Sequence, residues 1–275
     1  MSLLLTGRNG QVGSELQRIL QPAVATDHAR LDLADADAIR RVVREVKPDV
    51  IVNAAAYTAV DKAESEPDLA MRVNGVAPGV LAEEAKRRGA LLVHYSTDYV
   101  FDGAKRSPYA EDDAPNPLGT YGRSKLEGEV RVRASGCRHL IVRTAWVYGR
   151  GSNFVRAILR QAEKGAPLRV VNDQLGAPTW ALDIAQVTAQ LLRQHDEGIF
   201  HASAAGAVTW YEVALEILRL AHLSAEVQPV STAEYGAKAP RPRYSVLDNS
   251  KLHAAGIAPI SEWRARLALH LKSAA

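Results

Sequence analysis

The sequence predicts an α/β fold, a doubly wound, parallel sheet of the Rossmann-like type with a smaller C-terminal lobe. Three observations predict it. Short apolar runs alternate with longer amphipathic stretches, a glycine-rich turn follows the first run, and the alternation loosens beyond about residue 145. Buried parallel strands read as continuous apolar runs, and their alternation with helical patterns is typical of βαβ units. We therefore expect one domain over 1–145, to which later elements can return, and a lobe mainly over 146–275.

Each predicted strand precedes a predicted helix along the first half of the chain. Strands are expected at 2–5, 23–25, 50–53 and 91–94, and helices at 11–20, 36–46, 70–88 and 121–134. Pro48 precedes a strand, Gly89 ends a helix, and Gly136 precedes a further strand at 140–144. Later glycines and prolines separate shorter elements, and 235–244 is predicted to be a long loop.

Composition excludes several classes of protein. The 275 residues are 47% hydrophobic and 24% charged, as in folded globular proteins. The 34 basic and 31 acidic residues are interspersed, which argues against nucleic-acid binding. The single cysteine, Cys137, excludes an internal disulfide and is interpreted as a small apolar residue. No apolar run approaches the roughly 20 residues of a membrane span, and the N-terminus lacks a signal-peptide pattern. We expect a cytoplasmic protein without a membrane partner.

A glycine-rich turn lies between the first predicted strand and the first predicted helix. Gly7 permits a tight turn, Gly10 lets the backbone approach a pyrophosphate, and Gly13 lets the helix pack closely on the sheet. The free N–H groups at the helix start then face the anion. Three glycines alone are a weak signal, but this placement predicts a dinucleotide site. The alternative is a glycine-rich turn without a ligand.

The residues after the second strand bear on the choice of cofactor. Asp27 lies about 20 residues from the glycines, where an acid usually accepts a hydrogen bond from the ribose 2′-hydroxyl, which favours NADH. Arg30 can reach a 2′-phosphate, which favours NADPH, so both cofactors remain open. Asp32 and Leu33 are placed to contact adenine, and the alternative for Asp32 is the N-cap of a helix.

A tyrosine and a lysine share one face of the helix predicted at 121–134. The spacing of Tyr121 and Lys125 brings them together, and a neighbouring cation stabilises a phenolate, so the phenol is expected to exchange protons near neutral pH. An ordinary surface pair is the alternative. The strand at 91–94 runs towards Thr97, and the carboxyl ends of such strands line the ligand crevice. Thr97 is therefore expected to hydrogen-bond the substrate oxygen that Tyr121 protonates.

These motifs together resemble the extended short-chain dehydrogenase/reductase family. The resemblance covers nearly the whole chain and rests on segments 6–13, 50–64, 94–101, 121–125, 143–148, 172–179 and 241–242. It implies transfer of a hydride from NADPH or NADH to the C4 ketone of a dTDP-linked 4-dehydro sugar. Tyr121 would protonate the oxygen and Thr97 would hydrogen-bond it. Tyr121 and Lys125 would both touch the nicotinamide ribose, and Lys125 would hold it and tune Tyr121.

The resemblance also assigns binding residues. Gly10, Gln11 and Val12 would hold the pyrophosphate, and Ala56, Tyr57 and Thr58, ending the strand from Val50, would line the cofactor. The sugar nucleotide would meet Thr97, Asp98 and Trp146, with the C-terminal lobe forming most of its site. Arg241 would clamp the diphosphate, or else cap a loop.

The sequence disfavours two other functions and a metal site. A sugar-nucleotide dehydratase or epimerase of the same fold is disfavoured because related dehydratases carry an Asp-Glu pair after the threonine, whereas Tyr99 follows Asp98 here. A non-catalytic, dinucleotide-binding regulatory subunit is disfavoured by the retained Thr97, Tyr121 and Lys125. Some relatives form a magnesium-bridged dimer, but Glu15 and Asp183 offer too few acids, so no metal is expected, and monomer and homodimer remain open.

Overall fold

The computed structural model describes residues 2–194 and 197–274 and places a six-stranded, fully parallel sheet at their centre. The strands along the chain are β1 (Leu3–Thr6), β2 (Val24–Thr26), β3 (Val50–Asn53), β4 (Leu91–Thr97), β5 (Arg138–Thr144), β6 (Val147–Tyr148), β7 (Leu168–Val171), β8 (Leu175–Gly176), β9 (Thr179–Trp180), β10 (Gly198–His201), β11 (Val208–Thr209) and β12 (Val227–Val230). The central order is β10-β5-β4-β3-β1-β2. The direction of winding reverses between β1 and β3, where ligands bind in such sheets.

Helices cover both faces of this sheet. They are α1 (Gln11–Leu20), α2 (Ala36–Val46), α3 (Val60–Ala63), α4 (Pro67–Met71), α5 (Ala77–Arg88), α6 (Thr120–Ser135), α7 (Phe154–Glu163), α8 (Ala181–Gln194), α9 (Trp210–Ala221), α10 (Thr232–Tyr235), α11 (Ser250–Ala254) and α12 (Trp263–Ala274). A π-helical turn, Arg72–Val76, joins α4 to α5, and a 3₁₀ turn, Asp98–Val100, follows β4.

The buried core has two layers because successive strand residues point to opposite faces of a sheet. One layer packs the sheet against α2, α5 and α6, and it includes Leu4, Ile51, Leu92, Ile141, Val43 and Leu81. The other packs it against α1 and α8, and it includes Leu5, Val52, Val93, Val142, Leu16 and Ile184. Both faces are therefore covered, and the predicted doubly wound fold is confirmed.

The later part of the chain forms smaller sheets and also returns to the central one. The pairs β6–β9, β8–β11 and β7–β12 each form a two-stranded sheet, whereas β10 pairs in parallel with β5. The helix predicted at 70–88 is interrupted by the π-helical turn, and the strand predicted at 91–94 extends to Thr97. In the part of the chain that the structure describes, no helix is both long and apolar enough to cross a membrane.

Candidate active site

The glycine turn has the tight geometry that the sequence predicts. Gly7 has a φ of +76°, and a Cβ on it would lie 2.6 Å from the backbone nitrogen of Ala55. A Cβ on Gly13 would overlap the carbonyl oxygen of Gly7. The N-cap of α1 is Gly10, which carries no side chain to satisfy the first N–H groups of the helix. The turn is therefore a backbone cradle that fits a pyrophosphate.

A second predicted segment lies beside this turn because β1 and β3 are neighbours. Ala56, Tyr57 and Thr58 lie in the loop after β3, three or more residues beyond its end at Asn53, so they do not end the strand as expected. The hydroxyl of Tyr57 donates to Glu66 Oε2 at 2.7 Å. These residues face the same edge of the sheet as the glycine turn.

Arg8 lies where the adenosine ribose of the cofactor is expected to bind, and the sequence pattern does not identify it. Its Nη2 and Nε donate to Asp27 Oδ2 at 2.6 and 3.0 Å. These hydrogen bonds hold the pKa of Asp27 below its usual value. The side chain of Arg30, the predicted phosphate ligand, is exposed, and its backbone N–H donates to Asp27 Oδ1 at 3.2 Å. The Asp27 carboxylate and the Arg8 guanidinium therefore form an ion pair where the 2′-hydroxyl or 2′-phosphate of the cofactor ribose is expected to bind.

The two predicted adenine contacts, Asp32 and Leu33, each have a local contact in the structure. Asp32 Oδ1 accepts from the backbone N–H of Ala34 at 2.8 Å, and α2 is capped instead by Asp35, which accepts from two backbone N–H groups. The interpretation of Asp32 as a helix N-cap is therefore wrong. Leu33 is buried in the core layer under α2.

The predicted threonine, tyrosine and lysine are brought together at the carboxyl end of β4. Thr97 is the last residue of that strand, and its hydroxyl lies close enough to Tyr121, in the first turn of α6, to lower the pKa of the phenol in part. The ring of Tyr121 packs edge-on against Tyr99, with 5.6 Å between centroids. Lys125 is buried one turn further along, and its Nζ donates to the carbonyl oxygen of Tyr95 at 2.5 Å. The pair is not an ordinary surface pair.

Burial determines the protonation of this cluster. It raises the pKa of Tyr121 to about 12, rather than lowering it as a neighbouring cation would, so the phenol keeps its proton at neutral pH. Burial also lowers the pKa of Lys125 to about 8, against the opposing influence of Glu129. It raises the pKa of Asp98 to about 6. Asp98 Oδ1 accepts from the Thr97 hydroxyl at 3.0 Å, whereas Oδ2 has no hydrogen-bond partner among the described residues.

Two residues that sequence reasoning missed fix the position of α6. Glu64 accepts from the backbone N–H of Thr120 at 2.7 Å and from its hydroxyl at 3.0 Å, which caps the helix from α3. Asn74, in the π-helical turn, holds the backbone of Tyr57 through two hydrogen bonds and donates to Ser124 Oγ at 3.0 Å. Asn74 thereby joins the loop after β3 to the helix that carries the tyrosine.

Trp146 and Arg241 lie where the later part of the chain meets this edge. Trp146 follows β5 and stacks on Trp210, with 3.5 Å between ring centroids. Arg241 makes an ion pair with Asp61 at 2.8 Å and donates to the carbonyl oxygen of Ala239 at 2.9 Å. Its guanidinium therefore ties the loop at 235–244 to the segment that follows β3.

Three other residues considered in the sequence are buried or ion-paired. Cys137 is buried before β5, and Glu15 pairs with Arg18 at 3.0 Å. Asp183 pairs with Arg266. Within residues 2–194 and 197–274, no cluster of three or more histidine, cysteine, aspartate or glutamate side chains could hold a metal ion.

The fold and this cluster define the class of the protein. A parallel sheet with a glycine cradle at its switch point, and a buried threonine, a half-buried tyrosine and a buried lysine at the same edge, is the arrangement of dinucleotide-dependent oxidoreductases of the extended short-chain type. The model of the RmlD substrate binding domain family matches residues 1–275. The chain belongs to this family.

Known proteins resemble the chain over almost its full length. The dTDP-4-dehydrorhamnose reductase of Burkholderia thailandensis is 44% identical over 285 residues, which cover 96% of this chain and 96% of that protein. The crystal structure of a dTDP-4-dehydrorhamnose reductase from Clostridium acetobutylicum superposes with a TM-score of 0.96 at 41% identity, covering 100% of this chain and 99% of that one. The Bacillus anthracis dTDP-4-dehydrorhamnose reductase, in complex with NADP, gives a TM-score of 0.95 at 35% identity, covering 99% and 100%.

Proposed function

We propose that this protein is an NADPH- or NADH-dependent reductase. It reduces the C4 ketone of dTDP-4-dehydro-L-rhamnose to dTDP-L-rhamnose, a step of dTDP-rhamnose biosynthesis. The observation that carries the proposal is the placement of Tyr121 and the buried Lys125, one turn apart on α6, next to Thr97 at the carboxyl end of β4, the same edge of the sheet that carries the glycine turn. The names of the similar proteins supply the substrate.

Residues of this chain donate the proton to the ketone oxygen and stabilise the charge that develops. Reduced nicotinamide, when bound, supplies the hydride. Because the pKa of Tyr121 is about 12, its phenol carries a proton at neutral pH and is a general acid for the ketone oxygen. Thr97, whose one hydroxyl hydrogen points to Asp98 Oδ1 in this structure, turns it to the same oxygen as negative charge develops there. The ammonium of Lys125 holds the ribose hydroxyls and stabilises the phenolate that remains.

Binding is divided between two groups of residues. The cofactor lies against the cradle and the loop after β3, contacting Gly7, Gly10, Gln11, Val12, Gly13, Asp27, Arg30, Asp32, Leu33, Ala56, Tyr57 and Thr58. The sugar nucleotide lies against Thr97, Asp98, Trp146 and Arg241, mainly in a lobe over 146–275. Arg241 reaches the diphosphate from its place on Asp61, because a guanidinium binds phosphate through paired hydrogen bonds. The protein acts as a monomer or homodimer in the cytoplasm, where reduced cofactor is supplied.

The test is to follow consumption of NADPH and NADH by the purified chain with dTDP-4-dehydro-L-rhamnose. We expect one cofactor oxidised for each sugar reduced. A dehydratase or epimerase would regenerate its cofactor, and a regulatory subunit would bind it without oxidation, so either result would refute the proposal.

The tyrosine assignment is tested by Tyr121→Phe. Loss of a positioned acid should lower turnover by about two to four orders of magnitude, while cofactor binding stays nearly unchanged. Tyr235→Phe is the matched control, since that ring is exposed on α10. Wild-type turnover in Tyr121→Phe would remove Tyr121 from this role.

A further inference from the structure

Trp146 adopts a backbone conformation that bulky residues rarely take. Its φ is +47°, in the left-handed region that favours glycine. It lies between β5 and β6, next to the carboxyl edge that carries Thr97. Such strained residues persist only where their surroundings hold them, and they cluster at sites that clamp ligands. The contacts of the Trp146 indole therefore show which residues hold this backbone conformation.

Trp210 supplies the largest of these contacts. The two indoles are nearly parallel, with an interplanar angle of 6° and 3.5 Å between centroids. Gly176 lies so close that a Cβ on it would be 2.6 Å from the indole Nε1 of Trp146. The carbonyl oxygen of Trp146 accepts from the backbone N–H of Thr179 at 3.2 Å. The indole is thus held by an aromatic ring and by backbone, and it remains only half-buried.

Trp210 is itself fixed from two directions. It is the first residue of α9, whose start is held by a capping box in which the Thr209 and Glu212 side chains bond each other's backbone N–H groups. Phe154, the first residue of α7, tilts against the Trp210 ring with 4.5 Å between centroids. The stack therefore connects the starts of two helices in the later part of the chain to a residue at the edge of the central sheet.

We infer that Trp210 is a positioning residue for the sugar nucleotide, because its stack holds the Trp146 indole in the orientation that meets the ligand. The inference rests on the proposed function, which places Trp146 against the sugar nucleotide. Trp210 acts on sugar-nucleotide affinity through Trp146. It acts neither on the cofactor, whose cradle lies at Gly7–Gly13, nor on the proton held by Tyr121.

The test compares Trp210→Leu and Trp210→Phe with the wild-type chain. The dissociation constant of dTDP-L-rhamnose, measured by calorimetry with the oxidised cofactor present, should rise about tenfold in the leucine variant and about threefold or less in the phenylalanine variant, which keeps an aromatic face. The dissociation constant of the cofactor and kcat should stay within about twofold. The near-ultraviolet circular dichroism of the stacked indoles should be lost in both Trp210→Leu and Trp146→Leu. Leu215→Ala, on the exposed face of α9, is the matched control.

Each outcome distinguishes a positioning role of Trp210 from a general role in folding. An unchanged dissociation constant for dTDP-L-rhamnose in Trp210→Leu overturns the inference, as does an equal loss of cofactor affinity, which indicates general disruption of the fold. If Trp210→Leu does not fold, Trp210→Phe and Phe154→Leu provide the same comparison. A wild-type chain that binds dTDP-L-rhamnose but never oxidises reduced cofactor refutes the proposed function alone, because the binding comparison still tests Trp210.

Discussion

Glu64→Ala removes the side chain that caps the helix carrying the proposed acid. Glu64 accepts two hydrogen bonds from Thr120, at 2.7 and 3.0 Å, and its negative charge lies at the positive end of α6. An N-cap is worth about 0.5–2 kcal/mol, and an acid beside a helix N-terminus adds about 0.3–1 kcal/mol. We therefore expect the free energy of unfolding to fall by about 1–3 kcal/mol. Glu64→Gln, which keeps an acceptor but loses the charge, should lose about 0.3–1 kcal/mol.

Urea unfolding and turnover measure the two consequences of this change. Because Tyr121 lies in the first turn of α6, a loosened start displaces its hydroxyl, and we expect kcat to fall about tenfold while the cofactor dissociation constant changes little. Glu45→Ala is the matched control, since Glu45 is exposed on α2, and its stability should change by about 0.5 kcal/mol or less. A Glu64→Ala variant with wild-type stability and wild-type kcat would refute the capping argument.

Two further predictions concern pH and cofactor choice. Because burial raises the pKa of Asp98 to about 6, and ionised Asp98 accepts from Thr97, kcat/KM should fall as pH drops through about 6. Asp98→Asn should remove that dependence, and an unchanged acid limb in a pH–rate profile would contradict it. Arg8→Ala should raise KM for NADPH about 10- to 100-fold through loss of a charged hydrogen bond, with little effect on NADH. Arg193→Ala, exposed on α8, is the control in a steady-state comparison of the two cofactors, and a larger effect of Arg30→Ala than of Arg8→Ala would transfer the role to Arg30.

The sequence predicts the sheet and its glycine turn well because both depend on local pattern. The sequence does not predict the interruption of the helix expected at 70–88. The π-helical turn there contains Asn74, whose hydrogen-bond partners Tyr57 and Ser124 are distant in sequence. A polar residue in an amphipathic stretch gives no sign of such contacts.

The same limit applies to the candidate site. Thr97, Tyr121 and Lys125 could be predicted because a strand end and a helical spacing place them. Glu64 and Trp210 could not, because their partners come from elements far along the chain. The direction of the Tyr121 pKa shift could not be predicted, because the spacing indicates a nearby cation but not the burial that raises this pKa.

The return of β10 to the edge of β5 has a consequence for how the molecule is assembled. The register from Gly198↔Leu140 to His201↔Arg143 satisfies one side of β5 with a strand that is made only after α7 and α8. A nascent chain that ends before residue 198 presents that side unpaired, and unpaired edges invite association with other chains. Completion of the central sheet therefore awaits synthesis of the chain through His201, and a fragment that ends before β10 lacks the strand that covers this edge.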